Sequence, residues 1–146
     1  MCYNVTDYNV QEDVKTMMFP RYAAYGAIHA LLAVALGAFA AHGLEDKLSA
    51  DYLAVFETGV RYQMYHAIGL FLLSLLAGKL NEPRRLLLAG RLMHAGIILF
   101  SGSLYVLSLT GFSKLGIITP IGGVAFIAAW ALTAAAAWGS QKRNSA

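Results

Sequence analysis

Long apolar runs without charged residues, separated by short polar connections, dominate the chain after residue 20. Four such runs cover residues 22–44, 62–78, 92–113 and 115–141, each close to the roughly 20 residues that a bilayer-crossing helix needs. The second run is the shortest. Because lipid offers no partner for exposed backbone groups, each run should be a helix, and the Leu, Ala, Gly and Ile content argues against barrel strands. The pattern predicts an all-α, polytopic membrane protein built as a four-transmembrane-helix bundle.

The stretch between the first and second runs has a different pattern. Apolar residues recur at helical spacing at Leu48, Tyr52, Val55 and Phe56, with charged residues between them, and this is typical of an amphipathic helix. We therefore predict an interfacial amphipathic helix between helices 1 and 2, which lies on the outer membrane surface and turns inward near Gly59.

Both ends of the chain differ from its apolar centre. Residues 1–18 are polar and show no sustained apolar period, so we predict a flexible N-terminal tail. Residues 19–140 are assigned to the transmembrane domain, and residues 141–146 to a short basic C-terminal tail. Met17 or Met18 is an alternative start of the native chain.

Composition agrees with lipid as the solvent, since 58% of the 146 residues are hydrophobic and 13% are charged, unlike a soluble domain. The net charge of +3 does not indicate a nucleic-acid binder, because the basic residues are scattered at helix ends. With the amino terminus inside, eight Lys and Arg residues are cytoplasmic and three, Lys47, Arg61 and Lys114, are outside. The positive-inside rule thus predicts that both termini are cytoplasmic.

Small residues recur at about four-residue spacing in the predicted helices, which lets another helix backbone approach closely in lipid. We interpret them as helix-packing positions, with a substrate path along the same groove as the alternative. They are Gly26, Ala30, Ala33, Gly37, Ala41, Gly102, Gly122 and Gly123.

Polar and aromatic residues near the predicted outer ends of the helices form the main candidate site. With a helical rise of about 1.5 Å per residue they fall into one layer, and Glu57 and Arg61 are spaced to pair on one helix face. Ionisable residues inside a span are a functional hypothesis by default. The layer is either a structural network or a site for a small molecule, a proton or a lipid headgroup. Its members are His42, Glu57, Arg61, Tyr62, Tyr65, His66, Tyr105 and Thr119.

Two further histidines lie in the inner half. If helices 1 and 3 are neighbours, His29 and His94 have matching depth, and one hypothesis makes them the two axial ligands of a haem. Otherwise no cofactor and no metal are expected, since Cys2 is the only cysteine. Walker, dinucleotide, Gly-x-Ser-x-Gly and His-Glu-x-x-His motifs are missing from the sequence, so we do not expect an enzyme.

Four motifs occur in a fixed order: LGAFAAHG at residues 36–43, TGVRYQMYHA at 58–67, FSGSLY at 100–105 and TPIGG at 119–123. Over roughly residues 20–140 the chain resembles the YgdD-like, or transmembrane-protein-256-like, family of small four-helix membrane proteins (domain of unknown function 423). The resemblance implies the bacterial cytoplasmic membrane, but no catalytic residues, because the family has no assigned function. The resemblance also implies that the motif residues His42, Arg61, His66, Ser101, Tyr105 and Pro120 are important in the family. His29 and His94 match none of the motifs.

The leading functional hypothesis is an integral membrane packing or interaction protein. Its small-residue faces would bind copies of itself or a larger membrane partner. The alternative is a small transporter or proton-linked carrier with Glu57, Arg61, His66 and His42 as the binding site. The expected partners are the lipid bilayer and either a homo-oligomer or a larger membrane protein, and not nucleic acid.

Overall fold

Four long helices make up nearly all of the chain that the structure describes. This computed structural model describes the backbone of residues 5–80 and 82–144, and the side chains of residues 20–80 and 82–140. Within these ranges the helices are α1 (Val5–Phe39), α2 (Ala50–Ala77), α3 (Pro83–Thr110) and α4 (Thr119–Asn144). A π-helical turn, Ala40–Leu44, follows α1, and a 3₁₀ turn, Ser113–Ile117, precedes α4. The protein is therefore all-helical, as the sequence predicts.

Local signals explain where the helices begin and end. Ser49 caps α2, because its hydroxyl oxygen accepts a hydrogen bond from the backbone N–H of Tyr52. Pro83 occupies the start of α3, where its missing N–H is not needed. Gly111 ends α3 in a left-handed conformation, with φ of 70°, and its N–H donates to the carbonyl of Leu107. These ends produce short connections between neighbouring helices.

The structure does not confirm a separate interfacial helix between helices 1 and 2. Residues 50–77 form one continuous helix, and Gly59, where a turn was predicted, lies buried within it. A Cβ built on Gly59 would lie 2.8 Å from Cε1 of Tyr105 and 3.3 Å from the carbonyl oxygen of Ser101. Of the apolar residues at helical spacing, Phe56 is buried and Leu48 packs against its cluster, while Tyr52 is exposed. A helix that packs against other helices and a helix that lies on a membrane surface have the same apolar periodicity. The sequence pattern alone therefore did not distinguish the two.

The first and last helices extend across the predicted boundaries of the transmembrane domain. α1 begins at Val5 and continues through Pro20, so it takes in most of the segment predicted as an N-terminal tail. α4 extends to Asn144, past the predicted end of the domain. Residues 1–4 and 145–146 lie outside the described residues. The division into two tails and a domain at residues 19–140 stays a prediction.

In the part of the chain that the structure describes, three segments are long and apolar enough to cross a membrane: Pro20–Leu44, Pro83–Thr110 and Ser113–Ser140. The criterion is one of length and composition. α2 does not belong to this set, and its first half carries Asp51, Glu57 and Arg61. The end that carries the π-helical turn, predicted to face outward, is called the outer end below, and the opposite end is the inner end.

The helices pack around a central pair. α2 and α3 lie against each other, α1 packs along α2 and also touches α3, and α4 packs along α3. Among the described residues α1 and α4 have no extended contact, so the cross-section is a rhombus with α1 and α4 at its far corners. The main core contains the fully buried Leu70, Leu73, Leu86 and Met93. A smaller cluster surrounds Phe56 near the outer end.

Candidate functional site

Close contacts within one chain use several of the predicted packing residues. A Cβ built on Gly26 of α1 would lie 2.8 Å from the carbonyl oxygen of Ala67 in α2. One built on Gly122 of α4 would lie 2.5 Å from the backbone nitrogen of Phe100 in α3. Ala33 is buried as well. These small residues bring helices of the same chain together.

Other predicted packing residues do not have this role. A Cβ on Gly102 would meet nothing within 4 Å, and Cβ atoms on Gly37 and Gly123 would make ordinary contacts at 3.4 Å or more. Ala41 is exposed, and Ala30 is half-buried. Spacing alone also missed four glycines at tight helix contacts, because they do not share a regular interval: Gly59, Gly69, Gly90 and Gly96.

The predicted outer polar layer does not converge on one site. His42, Glu57 and Arg61 are exposed, and an Arg61 guanidinium nitrogen donates to the Thr58 hydroxyl at 3.3 Å. The predicted ion pair between Glu57 and Arg61 is not formed in the described part of the chain, which corrects that expectation. Both side chains are long and exposed, so their i, i+4 spacing permits a pair without imposing it.

Thr119 and Tyr105, two other members of the layer, point to different partners. The Thr119 hydroxyl lies 2.8 Å from the Ser103 hydroxyl. Because Ser103 donates its own hydrogen to the Phe100 carbonyl, Thr119 is the donor to Ser103. This bond joins α3 to α4 and has no link to Tyr105.

Tyr105 belongs to a buried chain of hydrogen bonds that crosses three helices. Its hydroxyl donates to Oε1 of Gln63 at 2.8 Å, and Nε2 of Gln63 donates to the backbone carbonyl of His29 at 3.0 Å. Gln63 is 4% exposed and was missed in the sequence. The available signal was an amide within the apolar part of the TGVRYQMYHA motif. Gln63 ties α1, α2 and α3 together.

The outer seam is the α2–α4 contact formed by Tyr62, His66, Phe126 and Trp130. The His66 ring lies flat on Phe126, with centroids 3.4 Å apart and planes 10° apart, and Trp130 flanks it at 6.3 Å. Nδ1 of His66 lies 2.7 Å from the Tyr62 carbonyl. A carbonyl only accepts, so Nδ1 carries a hydrogen. His66 therefore acts across helices as a flat aromatic ring, while the ring of Tyr65 is exposed and lies 6.1 Å from that of Tyr62.

The inner seam is the α1–α3 contact formed by Tyr22, Tyr25, His29, Gly90 and His94. Nε2 of His29 lies 3.1 Å from Nδ1 of His94, and the Tyr25 ring stacks on His94 with centroids 4.6 Å apart. Tyr22 packs against Gly90, where any Cβ would overlap the ring. The Tyr22 hydroxyl also donates to the Leu87 carbonyl at 3.0 Å. The two histidines of matching predicted depth are thus direct partners.

Their separation bears on the haem hypothesis. A metal ion between two imidazole nitrogens, with bonds of about 2 Å each, holds them about 4 Å apart. The 3.1 Å separation of His29 and His94 suits a hydrogen bond instead. Haem ligation therefore requires α1 and α3 to move apart. Among the described residues no three histidine, cysteine or carboxylate side chains converge as metal ligands.

Two buried polar atoms within the described side chains have no hydrogen-bond partner. They are Nδ1 of His29 and the hydroxyl of Ser101. Ser101 is fully buried beside Gly59, and its hydroxyl is a small defect in the α2–α3 contact. The unpartnered nitrogen of His29 constrains where the hydrogens of the inner seam lie.

Comparison with known proteins gives a match at family level. A family model described as a protein of unknown function (DUF423) matches residues 36–123. The UPF0382 membrane protein YwdK of Bacillus subtilis (strain 168) is 61% identical over 112 residues, which is 77% of this chain and 91% of the relative. UPF0382 membrane proteins of Staphylococcus saprophyticus and Staphylococcus epidermidis are 50% and 51% identical over 105 residues, 72% of this chain and 86% and 84% of the relatives. No solved structure matches the chain significantly.

Proposed function

Because this chain belongs to the family of proteins of unknown function DUF423, we propose a function from its own geometry: it assembles with a second copy of itself through α3. It is a small polytopic helical membrane protein. We further propose that all four helices span the bacterial cytoplasmic membrane with both termini inside. The excess of Lys and Arg at the inner end supports this orientation, and the membrane proteins of Bacillus and Staphylococcus to which the chain is similar support a bacterial membrane.

The observation that carries the proposal is Gly102. A glycine within a helix is about 1 kcal/mol less favourable than alanine. Gly90 and Gly96 in the same helix make close contacts with Tyr22 and Phe126, but Gly102 has open space where a Cβ would point. A small residue at position 102 is explained if a helix from another molecule approaches closely there.

The face around Gly102 has the form of a helix interface in lipid. Leu88, Ala95, Gly102 and Leu109 repeat every seven residues along α3, with the small pair in the centre and exposed leucines at both ends. One stripe of this kind serves both sides of a two-fold dimer, since the same residues face each other. This is why a second copy is the proposed partner and not a larger membrane protein.

The test is the molecular mass of purified protein in mild detergent and in lipid nanodiscs. We expect a dimer for the wild type and a monomer for Gly102→Leu, with association weakened at least about tenfold because the helices no longer approach closely. Ala131→Leu places the same leucine side chain at an exposed position of α4 and should remain a dimer. A wild-type monomer, or an unchanged dimer in Gly102→Leu, contradicts the proposal.

A proton-linked carrier is the second candidate, and the hydrogen bond between His29 and His94 favours it. Histidines within a membrane span commonly mark proton pathways. In this version the two rings replace the predicted layer of Glu57, Arg61, His66 and His42. We propose no catalytic role and no cofactor for either candidate.

Proteoliposomes that contain a pH-sensitive dye test the carrier. We expect a proton flux under an imposed potential, reduced at least about tenfold in His29→Phe and retained in His66→Phe, which replaces a histidine outside the pair. A flux no greater than that of empty liposomes contradicts the carrier.

A further inference from the structure

A groove at the inner end, between α1 and α3, carries two exposed arginines. Tyr22 of α1 packs directly against Gly90 of α3. Arg21 precedes Tyr22 and Arg91 follows Gly90, so both arginines lie beside this contact. Both are exposed. Neither has an ion pair or a hydrogen bond within the side chains that the structure describes. We call Arg21, Tyr25, Arg91 and His94 the inner groove.

The unpartnered nitrogen of His29 determines which ring nitrogen of His94 carries the hydrogen at this groove. A buried N–H without an acceptor is rarer than a buried acceptor without a donor. Nδ1 of His29 is therefore the bare nitrogen, and its Nε2–H donates to Nδ1 of His94. In neutral His94 the hydrogen is then on Nε2. That atom is not one of the buried unpartnered atoms of the described residues, so it reaches the surface as a donor.

The charges around the inner groove are predominantly positive. Among the described side chains the inner end carries Arg21, Lys79, Arg84, Arg85 and Arg91 and one carboxylate, Glu82. Glu82 forms an ion pair with Arg85 at 3.6 Å, outside the groove. The two guanidinium groups of the inner groove, its Tyr25 hydroxyl and its outward-facing His94 N–H form a set of donors.

We propose that the inner groove binds the phosphate of an anionic lipid in the adjacent leaflet. Guanidinium groups bind phosphate oxygens with two parallel hydrogen bonds, and basic pockets between membrane helices on the cytoplasmic side bind lipid phosphates. Arg91 lies eight residues, or about 12 Å, from the start of α3, within reach of the headgroup region by a long side chain. His29 is a positioning residue, which holds the His94 hydrogen on the outward nitrogen.

The inner groove lies beside the inner end of the proposed dimer stripe, because Arg91 follows Leu88 by three residues and precedes Ala95 by four, which places all three on one side of α3. Gly102 lies eleven residues, or about 16 Å, further along α3 than Arg91. A native mass spectrum reports the number of chains and the number of bound lipids separately, so loss of self-association in Gly102→Leu and loss of lipid binding in Arg91→Gln are distinguishable.

Native mass spectrometry of the purified protein, titrated with dioleoylphosphatidylglycerol or dioleoylphosphatidylcholine, tests the site. We expect preferential retention of phosphatidylglycerol. Arg21→Gln and Arg91→Gln should each weaken it about tenfold, since each removes a charge-assisted hydrogen bond. Lys79→Gln removes the same charge from the same end outside the groove and should change the affinity less than about twofold. No lipid preference, or an equal loss in Lys79→Gln, overturns the proposal.

A competition experiment separates the lipid from free phosphate. With phosphatidylglycerol bound, millimolar inorganic phosphate should leave the bound fraction unchanged, because the lipid chains hold the headgroup at the groove. Displacement of the lipid by inorganic phosphate alone overturns the assignment to a lipid.

The role of His29 has its own readout. Nitrogen-15 spectra of labelled imidazole should show the His94 hydrogen on Nε2 in the wild type and a mixture of tautomers in His29→Phe, with phosphatidylglycerol binding weakened about threefold or more. His29→Gln keeps an N–H donor and should restore both the tautomer and the affinity. Unchanged spectra and binding in His29→Phe overturn the positioning role.

Discussion

The inner and outer seams each place histidine where an outlying helix meets one of the central pair, α1 against α3 and α4 against α2, yet they use it in different ways. In the inner seam the ring nitrogens of His29 and His94 bond to each other across the α1–α3 contact. In the outer seam Nδ1 of His66 bonds to a carbonyl of its own helix, and the ring meets Phe126 of α4 face to face.

This difference separates polar from apolar helix contacts in lipid. The hydrogen-bond requirement of Nδ1 in His66 is met within α2, so the contact with α4 needs only a flat ring of the right size. In the inner seam each histidine needs the other helix to satisfy a nitrogen. We therefore expect the inner seam to depend on chemical identity and the outer seam to depend on shape.

The largest effects should come from removal of the main aromatic ring of each seam. Tyr22→Ala and Phe126→Ala should each lower the free energy of unfolding by about 3–5 kcal/mol, since both rings are buried and leave cavities. Unfolding in mixtures of dodecylmaltoside and dodecyl sulfate measures this. Tyr65→Ala is the control, because its ring is 58% exposed. A loss no larger than in that control means that the seam does not hold the bundle together.

Replacement of histidine by phenylalanine should distinguish the seams most directly. His94→Phe leaves the N–H of His29 buried without an acceptor, which should lower the free energy of unfolding by about 1–3 kcal/mol. His66→Phe keeps the stack on Phe126 and loses one hydrogen bond within its own helix, so the free energy of unfolding should fall by about 1 kcal/mol or less. The same unfolding assay compares the two variants. Equal losses contradict the distinction between chemistry and shape.

A smaller effect is expected where Gln63 connects α3 to the inner seam. Tyr105→Phe removes the donor to Oε1 of Gln63 and should lower the free energy of unfolding by about 0.5–1 kcal/mol, as is usual for such bonds in membrane proteins. Tyr52→Phe, at an exposed ring, should leave it unchanged. If both variants match the wild type, the Gln63 connection does not contribute to stability.

The smallest effect belongs to Ser101, which lies in the central α2–α3 contact beside Gly59. Its hydroxyl is buried without a partner, so Ser101→Ala should be neutral or stabilise the fold by up to about 1 kcal/mol. Ser103→Ala is the matched control, because the Ser103 hydroxyl is bonded to Thr119, and it should destabilise. A Ser101→Ala variant less stable than Ser103→Ala contradicts this assignment.

The helical fold was predictable because lipid forces every backbone group to find its partner within the helix. The long apolar runs therefore indicated helices directly, and a depth argument was sufficient to align His29 with His94. The interfacial helix is not confirmed, because residues such as Phe56 face other helices with the same periodicity that a membrane surface requires.

The candidate site was harder to predict, since depth along a helix says nothing about direction around it. His42, Glu57 and Arg61 share a predicted depth with His66, but they are exposed while His66 is buried under Phe126. Gly102 and Gly122 likewise both read as packing residues, and only the second meets a backbone of the same chain.

By itself, the sequence determined the solvent, the helical class and the depth of each polar group, because hydrophobicity and the rise per residue act along one dimension. The tertiary structure decided which groups meet. The rotation of each helix about its axis sets its partners, and that rotation follows from the combined packing of all four helices. The bond between His29 and His94, the role of Gln63 and the open face at Gly102 all depend on it.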